Sequence, residues 1–271
     1  LFFYSETMFT VLDKEELIKH LGTGILKSQP EIIITSKTDS TNEDAKSFLK
    51  KQKNDIAIHL SEQQLAGKGR NGKKWISPEG KNIYLSIAWK SPLNYSQLDG
   101  LSLSVGTVLA KSLNMYCNDS IKVKWPNDLL ANNKKTAGIL IETLEIGKTI
   151  GVVIGIGINV HMDYEEGKEI DQDWTSVDEI SNVINDRNRI TADLLNGIYE
   201  LIESYPEHGF SYYKKDFENL DLLRDSMCQI EVRNKKEKVK VIGVNHSGEL
   251  IVEKKGKYLE LRYGEVSIRE L

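Results

Sequence analysis

Residues 120–160 read SIKVKWPNDLLANNKKTAGILIETLEIGKTIGVVIGIGINV. Within them, residues 120–125, 136–144 and 148–160 are rich in apolar and β-branched side chains, and short polar turns separate the three runs. Runs of this kind, punctuated where hairpins can turn, predict an antiparallel meander that forms the core sheet. Gly155 and Gly157 fit no dinucleotide fingerprint, because no third glycine and no helix follow, so close chain packing is their expected role. Alternation puts Lys122 and Lys124 on one sheet face, and Asn127-Asp128 opens a turn at the strand's end. A turn carboxylate beside lysines suits a proton acceptor or a charge partner, and suits an ordinary hairpin equally.

On the N-terminal side, residues 12–21 predict a short amphipathic helix capped by Asp13 and ended by residues 22–24. A buried strand at 31–36 precedes Ser40-Thr-Asn-Glu43, a capping-box pattern that opens a helix to about Lys50. Strands are expected at 55–60 and 82–89, and a long helix at 96–116 with Leu101, Val105, Val108, Leu109 and Leu113 on one face. On the C-terminal side, residues 162–179 are strongly acidic, hold the single cation Lys168 and lack periodicity, which reads as a solvated loop. Helices follow at 191–204 and 210–219. Short alternating strands at 228–233, 238–244, 249–252, 258–262 and 266–269 then suggest a small closed barrel. The expected division is a domain of residues 1–222, with 1–11 outside its fold, and a second domain of residues 223–271.

The 271 residues are 39% hydrophobic, enough for a sizeable core, which excludes a disordered chain. A net charge of −4 provides no global basic field for nucleic acid or anionic lipid, so any polyanion site must be local. Cys117 and Cys228 form neither a metal spacing nor a disulfide framework, which points to a reducing, cytoplasmic setting. The longest apolar stretch, residues 150–160, is about half a membrane span. The first residues, LFFYSET, lack the pattern of a secretory signal, and Met8 is a candidate start. His20, His59, His161, His208 and His246 fall in no ligand spacing, so no metal centre is expected. No nucleophile-elbow signature is present either.

Residues 63–75, QQLAGKGRNGKKW, are the most informative for chemistry. Gly67, Gly69 and Gly72 let backbone amides approach an anion, while Lys68, Arg70, Lys73 and Lys74 offset its charge, a combination suited to a triphosphate. A solvated basic loop is the plainer reading. Gly67 and Gly72-Lys73 satisfy P-loop spacing, but Lys74 stands where magnesium would need a hydroxyl, and residues 75–78 do not read as a helix.

Five motifs in order, Asp39-Ser-Thr-Asn42, Gln64-x-x-Gly-Lys-Gly-Arg-x-Gly-Lys-x-Trp75, Lys124-Trp-Pro-Asn-Asp128, Lys135-x-x-Gly-Ile-Leu-Ile-Glu142 and Gly155-Ile-Gly-Ile-Asn159, resemble those of the biotin protein ligases. The resemblance implies an α+β, class II synthetase-like catalytic domain with a mixed, largely antiparallel sheet and flanking helices, followed by an SH3-like small β-barrel. It implies that biotin's carboxylate attacks the α-phosphorus of ATP, accompanied by Mg2+. A lysine of a biotin carboxyl carrier domain, of acetyl-CoA carboxylase or pyruvate carboxylase, then takes the biotinyl group.

Carried over by position, the resemblance makes Arg70, Lys135 and Asp128 catalytic: Lys135 by the biotin carboxylate and α-phosphate, Asp128 by the acceptor lysine. Ser40, Thr41, Asn42, Gln64, Gly67 and Gly138, with Arg70 and Lys135, become the biotin site. Lys68, Gly69, Trp75, Asn127 and Asn159, again with Arg70 and Lys135, become the nucleotide site. Lys68, Asn71 and Lys73 replace arginines of the usual loop, which keeps charge at the lysines but loses the guanidinium fork. Bifunctional members carry a DNA-binding domain ahead of the catalytic one, whereas 38 residues precede Asp39 here, so operator binding is not expected; a homodimer is compatible with the resemblance. The competing readings are a lipoate-protein ligase and a nucleic-acid-binding regulator using the cationic stretch 231–262.

Overall fold

The computed structural model describes residues 9–51, 54–232, 235–262 and 266–270. Its larger sheet comprises β1 (Glu31–Thr35), β2 (Ile56–Ser61), β3 (Ile83–Ser91), β4 (Ile121–Lys124), β5 (Asp128–Ala131), β6 (Lys134–Ile146) and β7 (Thr149–Ile158). The order is β1-β2-β3-β7-β6-β5-β4, parallel between β1 and β2 and antiparallel elsewhere. The predicted meander is present as β4 to β7 and gains β5 where the sequence predicts a turn. Register across three of these strands aligns Ser86 with Gly155 and Leu140, and Tyr84 with Gly157 and Gly138. Partners in register and residues two apart share a face, so one face of the sheet loses side chains at three neighbouring positions.

The helices are α1 (Lys14–His20), α2 (Thr23–Ser28), α3 (Thr41–Lys51), α4 (Leu101–Leu113), α5 (Tyr164–Gly167), α6 (Val177–Ser181) and α7 (Arg187–Leu220). Asp13 caps α1 as predicted, accepting from the amides of Glu15 and Glu16. Gly22 opens α2 instead of closing the region, and Asn196 accepts its N–H at 2.7 Å. α4 begins later than predicted because Gly100 takes φ 78°, a left-handed break after the 95–98 turn. The two predicted C-terminal helices are one element interrupted at Gly209, with φ 57° and ψ −163°, three residues after Pro206.

Leu101, Val105 and Leu109 of α4 and Ile190, Leu194 and Ile198 of α7 bury one sheet face, against Val152, Ile154 and Ile156 among others. Ala45, Phe48 and Leu49 of α3 cover part of the other, over Ala57, Ala88 and Val153. A second sheet of β8 (Met227–Val232), β9 (Lys235–Val244), β10 (Leu250–Lys254), β11 (Lys257–Leu261) and β12 (Val266–Glu270) runs β11-β10-β9-β8-β12, antiparallel throughout. Its Cys228, Ile230, Val241 and Leu250 join the main core.

Two expectations need correction. Residues 9–11 belong to the fold: the buried Arg187 donates to the Thr10 carbonyl and pairs with Glu62 at 2.7 Å, and Phe9 stacks on His161 at 4.5 Å. Residues 1–8 lie outside the described residues. The acidic stretch 162–179 is not a solvated loop, since it holds α5 and most of α6 and buries Thr175, Ser176 and Val177. Among the described residues no helix is long and apolar enough to cross a membrane.

Candidate active site

A cavity of about 980 Å³ opens over the sheet face where the side chains are missing. A Cβ on Gly157 would lie 2.4 Å from the Trp75 ring, one on Gly155 2.1 Å from the Asn42 amide oxygen, and one on Gly138 3.0 Å from Trp75. These glycines therefore admit Asn42 and Trp75 onto the sheet, the close packing expected of residues 155 and 157.

The start of α3 supplies a buried polar corner. Ser86 Oγ lies 2.7 Å from Thr41 Oγ1 and 2.6 Å from Asn42 Oδ1, and the Thr41 amide donates to Gln64 Oε1 at 3.0 Å. Gln64 Nε2 in turn donates to Ser77 Oγ at 3.2 Å. Glu43, read in the sequence as a capping-box member, receives Lys46 at 3.1 Å and Lys68 at 2.7 Å. The hydrogen bond from Lys68, then that from Lys46, holds its carboxyl below the usual glutamate range.

The basic glycine loop folds back on itself. Gly69 N donates to Lys73 O at 2.7 Å and Trp75 N to Gly67 O at 2.9 Å. Its tip, residues 70–72, needs left-handed backbone at Asn71 (φ 55°) and Gly72 (φ 72°). Asparagine tolerates that region better than arginine, which gives a local reason for this loop's departure from the familiar pattern. Arg70 Nη1 donates to Asn127 Oδ1 at 2.9 Å, and Asn127 is anchored by Nδ2 on the Ile139 carbonyl at 2.8 Å. Lys135 Nζ sits 2.7 Å from Asp128 and 5.3 Å from the centre of the Trp75 ring.

Residues 171–173 also line the cavity. Lys135 N donates to Asp173 O at 2.9 Å and Thr175 N to Lys135 O at 3.0 Å, a parallel bridge that lays this stretch along the start of β6. Asn159 secures it, with Nδ2 donating to Thr175 O at 3.1 Å.

Of the residues singled out in the sequence, Ser40, Thr41, Asn42, Gln64, Lys68, Gly69, Arg70, Trp75, Asn127, Asp128, Lys135 and Gly138 all line the cavity. Two do not. Gly67 is pressed against Trp75 O and the Ser77 hydroxyl, where a Cβ would meet them at 2.7 and 2.8 Å, so it spaces the loop. Asn159 is buried and does not line the cavity; it holds the backbone of the wall. Sequence reasoning missed residues 171–173, Ser77 and Ser86. The first group is held through backbone groups, which leave no side-chain periodicity. The available signal was Trp174 within a run of carboxylates, packed where a Cβ on Gly167 would come within 2.0 Å of its ring. Among the described residues, no group of three or more His, Cys, Asp or Glu could hold a metal ion.

Fold and site together describe an enzyme that seats an anionic ligand beside a polar pocket, and the comparisons with known proteins agree on its kind. Residues 34–159 match the family model of the biotin/lipoate A/B protein ligases. The bifunctional ligase/repressor BirA of Salmonella typhimurium is 33% identical over 260 residues, covering 96% of this chain and 79% of that protein. A biotin–[acetyl-CoA-carboxylase] ligase of Mycobacterium tuberculosis is 33% identical over 170 residues, 61% of each chain. Biotin protein ligase from Aquifex aeolicus, solved with biotin and ATP, superposes with a TM-score of 0.76 at 27% identity, over 89% of this chain and 99% of that one. The chain belongs to the biotin protein ligase family, and it is a ligase whose substrates are biotin and ATP.

Proposed function

We propose that the chain makes biotinyl-5'-AMP and transfers the biotinyl group to a lysine of a biotin carboxyl carrier domain, of acetyl-CoA carboxylase or pyruvate carboxylase. A carboxylate oxygen of biotin bonds to the α-phosphorus of ATP while the bond to pyrophosphate breaks. The acceptor amine then bonds to the acyl carbon, AMP leaves, and the amine's proton passes to a base. The observation that carries this reading is the single cavity that joins the polar corner at Thr41, Asn42 and Gln64 to Arg70, Lys135 and Asp128.

In this reading the corner holds the biotin head, and Lys135 and Arg70 stabilise charge growing on the α-phosphate, where fixed cations are most effective. Asp128 is the proton acceptor, and its carboxylate lies 2.7 Å from Lys135 Nζ, so acid and cation meet at one point of the cavity. Lys68, Gly69, Trp75 and Asn127 face the nucleotide, whose triphosphate brings Mg2+ as part of the substrate. The domain boundary falls at residues 222–223, the larger part being a class II synthetase-like domain and the C-terminal sheet an SH3-like barrel. A cytoplasmic setting fits the substrates.

The test is ATP–pyrophosphate exchange with biotin, with lipoate or with neither, followed by addition of a carrier domain. Exchange that requires biotin, then labelled carrier, is the expected result. Exchange with lipoate alone would assign the chain to the other branch of the family.

A further inference from the structure

One register line crosses five strands of the larger sheet: Tyr84 on β3, Gly157 on β7, Gly138 on β6, Asp128 on β5 and Lys124 on β4. Partners in register share a face, and Gly138, Asp128 and Lys124 all line the cavity. Neighbouring strands lie about 4.8 Å apart, so Lys124 stands one strand beyond Asp128 and two, roughly 10 Å, beyond Gly138. The polar corner, where Thr41 and Asn42 meet Ser86 and Gly155, is at the β3–β7 end of the same face. The line therefore runs from the corner, past the point where Lys135 meets Asp128, to Lys124 on the last strand.

Other lysines of the cavity already face carboxylates: Lys135 is 2.7 Å from Asp128, Lys68 is 2.7 Å from Glu43 and Lys74 is 3.9 Å from Glu169. The half-buried Lys124 side chain has no ion pair or hydrogen bond among the described residues; Lys73 has none either but is exposed on the basic loop. The backbone around Lys124 is held from both sides. The Val123 carbonyl accepts from Leu222 N at 3.0 Å, and the buried Trp125 donates its indole N–H to Gly248 O at 3.0 Å. An ammonium carried on a backbone fixed in this way meets an incoming anion with little reorganisation of the chain.

We propose that Lys124 binds the β- and γ-phosphates of ATP and holds the pyrophosphate as it leaves. The proposal rests on the ligase reading above and deepens it. In a phosphoryl-type displacement the attacking and leaving oxygens lie roughly in line through phosphorus. With the biotin head in the corner, its carboxylate oxygen bonds to the α-phosphorus from the side of β7 and β6. The bond from the α-phosphorus to the bridging oxygen breaks toward β5 and β4, and its electron pair leaves on the pyrophosphate, where the Lys124 N–H groups meet the growing charge. The strands flanking β5 thus supply one lysine each: Lys135 for the α-phosphate and Lys124 for the leaving group.

The experiment separates the two half-reactions in the whole chain as wild type, Lys124→Ala and Lys124→Arg. Biotin-dependent ATP–pyrophosphate exchange gives the KM for pyrophosphate, transfer from preformed biotinyl-5'-AMP to a carrier domain is followed on its own, and biotin binding is titrated without ATP. Lys124→Ala is expected to slow exchange by about tenfold or more and to raise the KM for pyrophosphate by a similar factor, the scale of a hydrogen bond to a charged group. Transfer from the preformed adenylate and biotin affinity should stay within twofold of wild type, which also shows that the variant is folded. Lys124→Arg keeps the charge and recovers most of the exchange. A normal KM for pyrophosphate in Lys124→Ala, equal losses in both half-reactions, or a loss confined to transfer, which would set Lys124 against the carrier domain, would each overturn the proposal. Wild type whose exchange does not require biotin would overturn the ligase reading instead.

Discussion

Two walls of the cavity are built by opposite means. Residues 67–75 bond mainly to themselves, and one of their ties outward, Lys68 to Glu43, joins side chains that are 49% and 44% exposed. Residues 171–175 are laid on β6 through backbone groups and continue into buried Thr175, Ser176 and Val177. An exposed ion pair contributes about 0–1 kcal/mol, whereas orphaning a buried amide or carbonyl costs about 1–3 kcal/mol. The first wall is therefore expected to open at smaller cost than the second. A site that must trap an anion and later meet a protein gains from having one movable wall against one fixed reference.

The largest test falls where the fixed wall meets the chemistry. Lys135→Ala should lower pyrophosphate release by ~10²-fold or more, about 3 kcal/mol of transition-state stabilisation, and Arg70→Ala, on the movable wall, should lose a similar factor. Near-normal release by either would remove that residue from the catalytic set.

Asp221 provides a control, because it bridges to Val123 of β4 and does not itself line the cavity. Burial pushes its carboxyl up to about 6, against the pull of the Leu223 amide. A carboxyl raised above its unfolded value binds more protons when folded, so its stabilising contribution is full below about pH 4 and is lost as pH rises through about 6. Asp221→Asn should flatten that part of the stability profile, by on the order of 2 kcal/mol between pH 4 and 7 in denaturant titrations, without altering cleavage of the basic loop.

Asn159→Ala strips the Thr175 carbonyl of its side-chain donor. We expect about 1–2 kcal/mol of lost stability, a lower kcat and new protease cuts within 168–175, whereas an unchanged digestion pattern would mean that the wall does not depend on this amide. The smallest effect belongs to Glu43→Gln, which should change global stability by less than about 0.5 kcal/mol while speeding tryptic cleavage after Lys73 or Lys74 several-fold. Equal protection of the two walls in these variants would erase the contrast between them.

Much of this was readable from the chain because the determining groups are local. The meander shows itself through β-branched runs, the five C-terminal strands through alternation, and the loop through glycines beside cations. The failures share another cause. The start of α4 depends on Gly100, whose left-handed backbone sits against Phe210 more than a hundred positions away. Residues 9–11 are ordered by Arg187 and Asn188, and residues 171–175 by the backbone of Lys135 and the amide of Asn159. No local pattern encodes a partner so distant. Asn159 also shows a motif position whose local bonds the sequence does not reveal, since its amide donates to the Thr175 carbonyl of the wall.

Trp125, almost fully buried, donates its indole N–H to the carbonyl of Gly248 at 3.0 Å, and that turn of the second sheet rests against Gly100. The same indole stands two residues before Asn127 and three before Asp128. For protein engineering, residues 222–223 are therefore a poor place to cut. A fragment ending there would expose the tryptophan and the apolar residues that meet Leu223, Ile230 and Val241, giving a sticky surface beside a loosened catalytic turn. Split reporters and trimmed labelling enzymes derived from this scaffold should instead be opened at the exposed turn of residues 255–256, which leaves that seam intact.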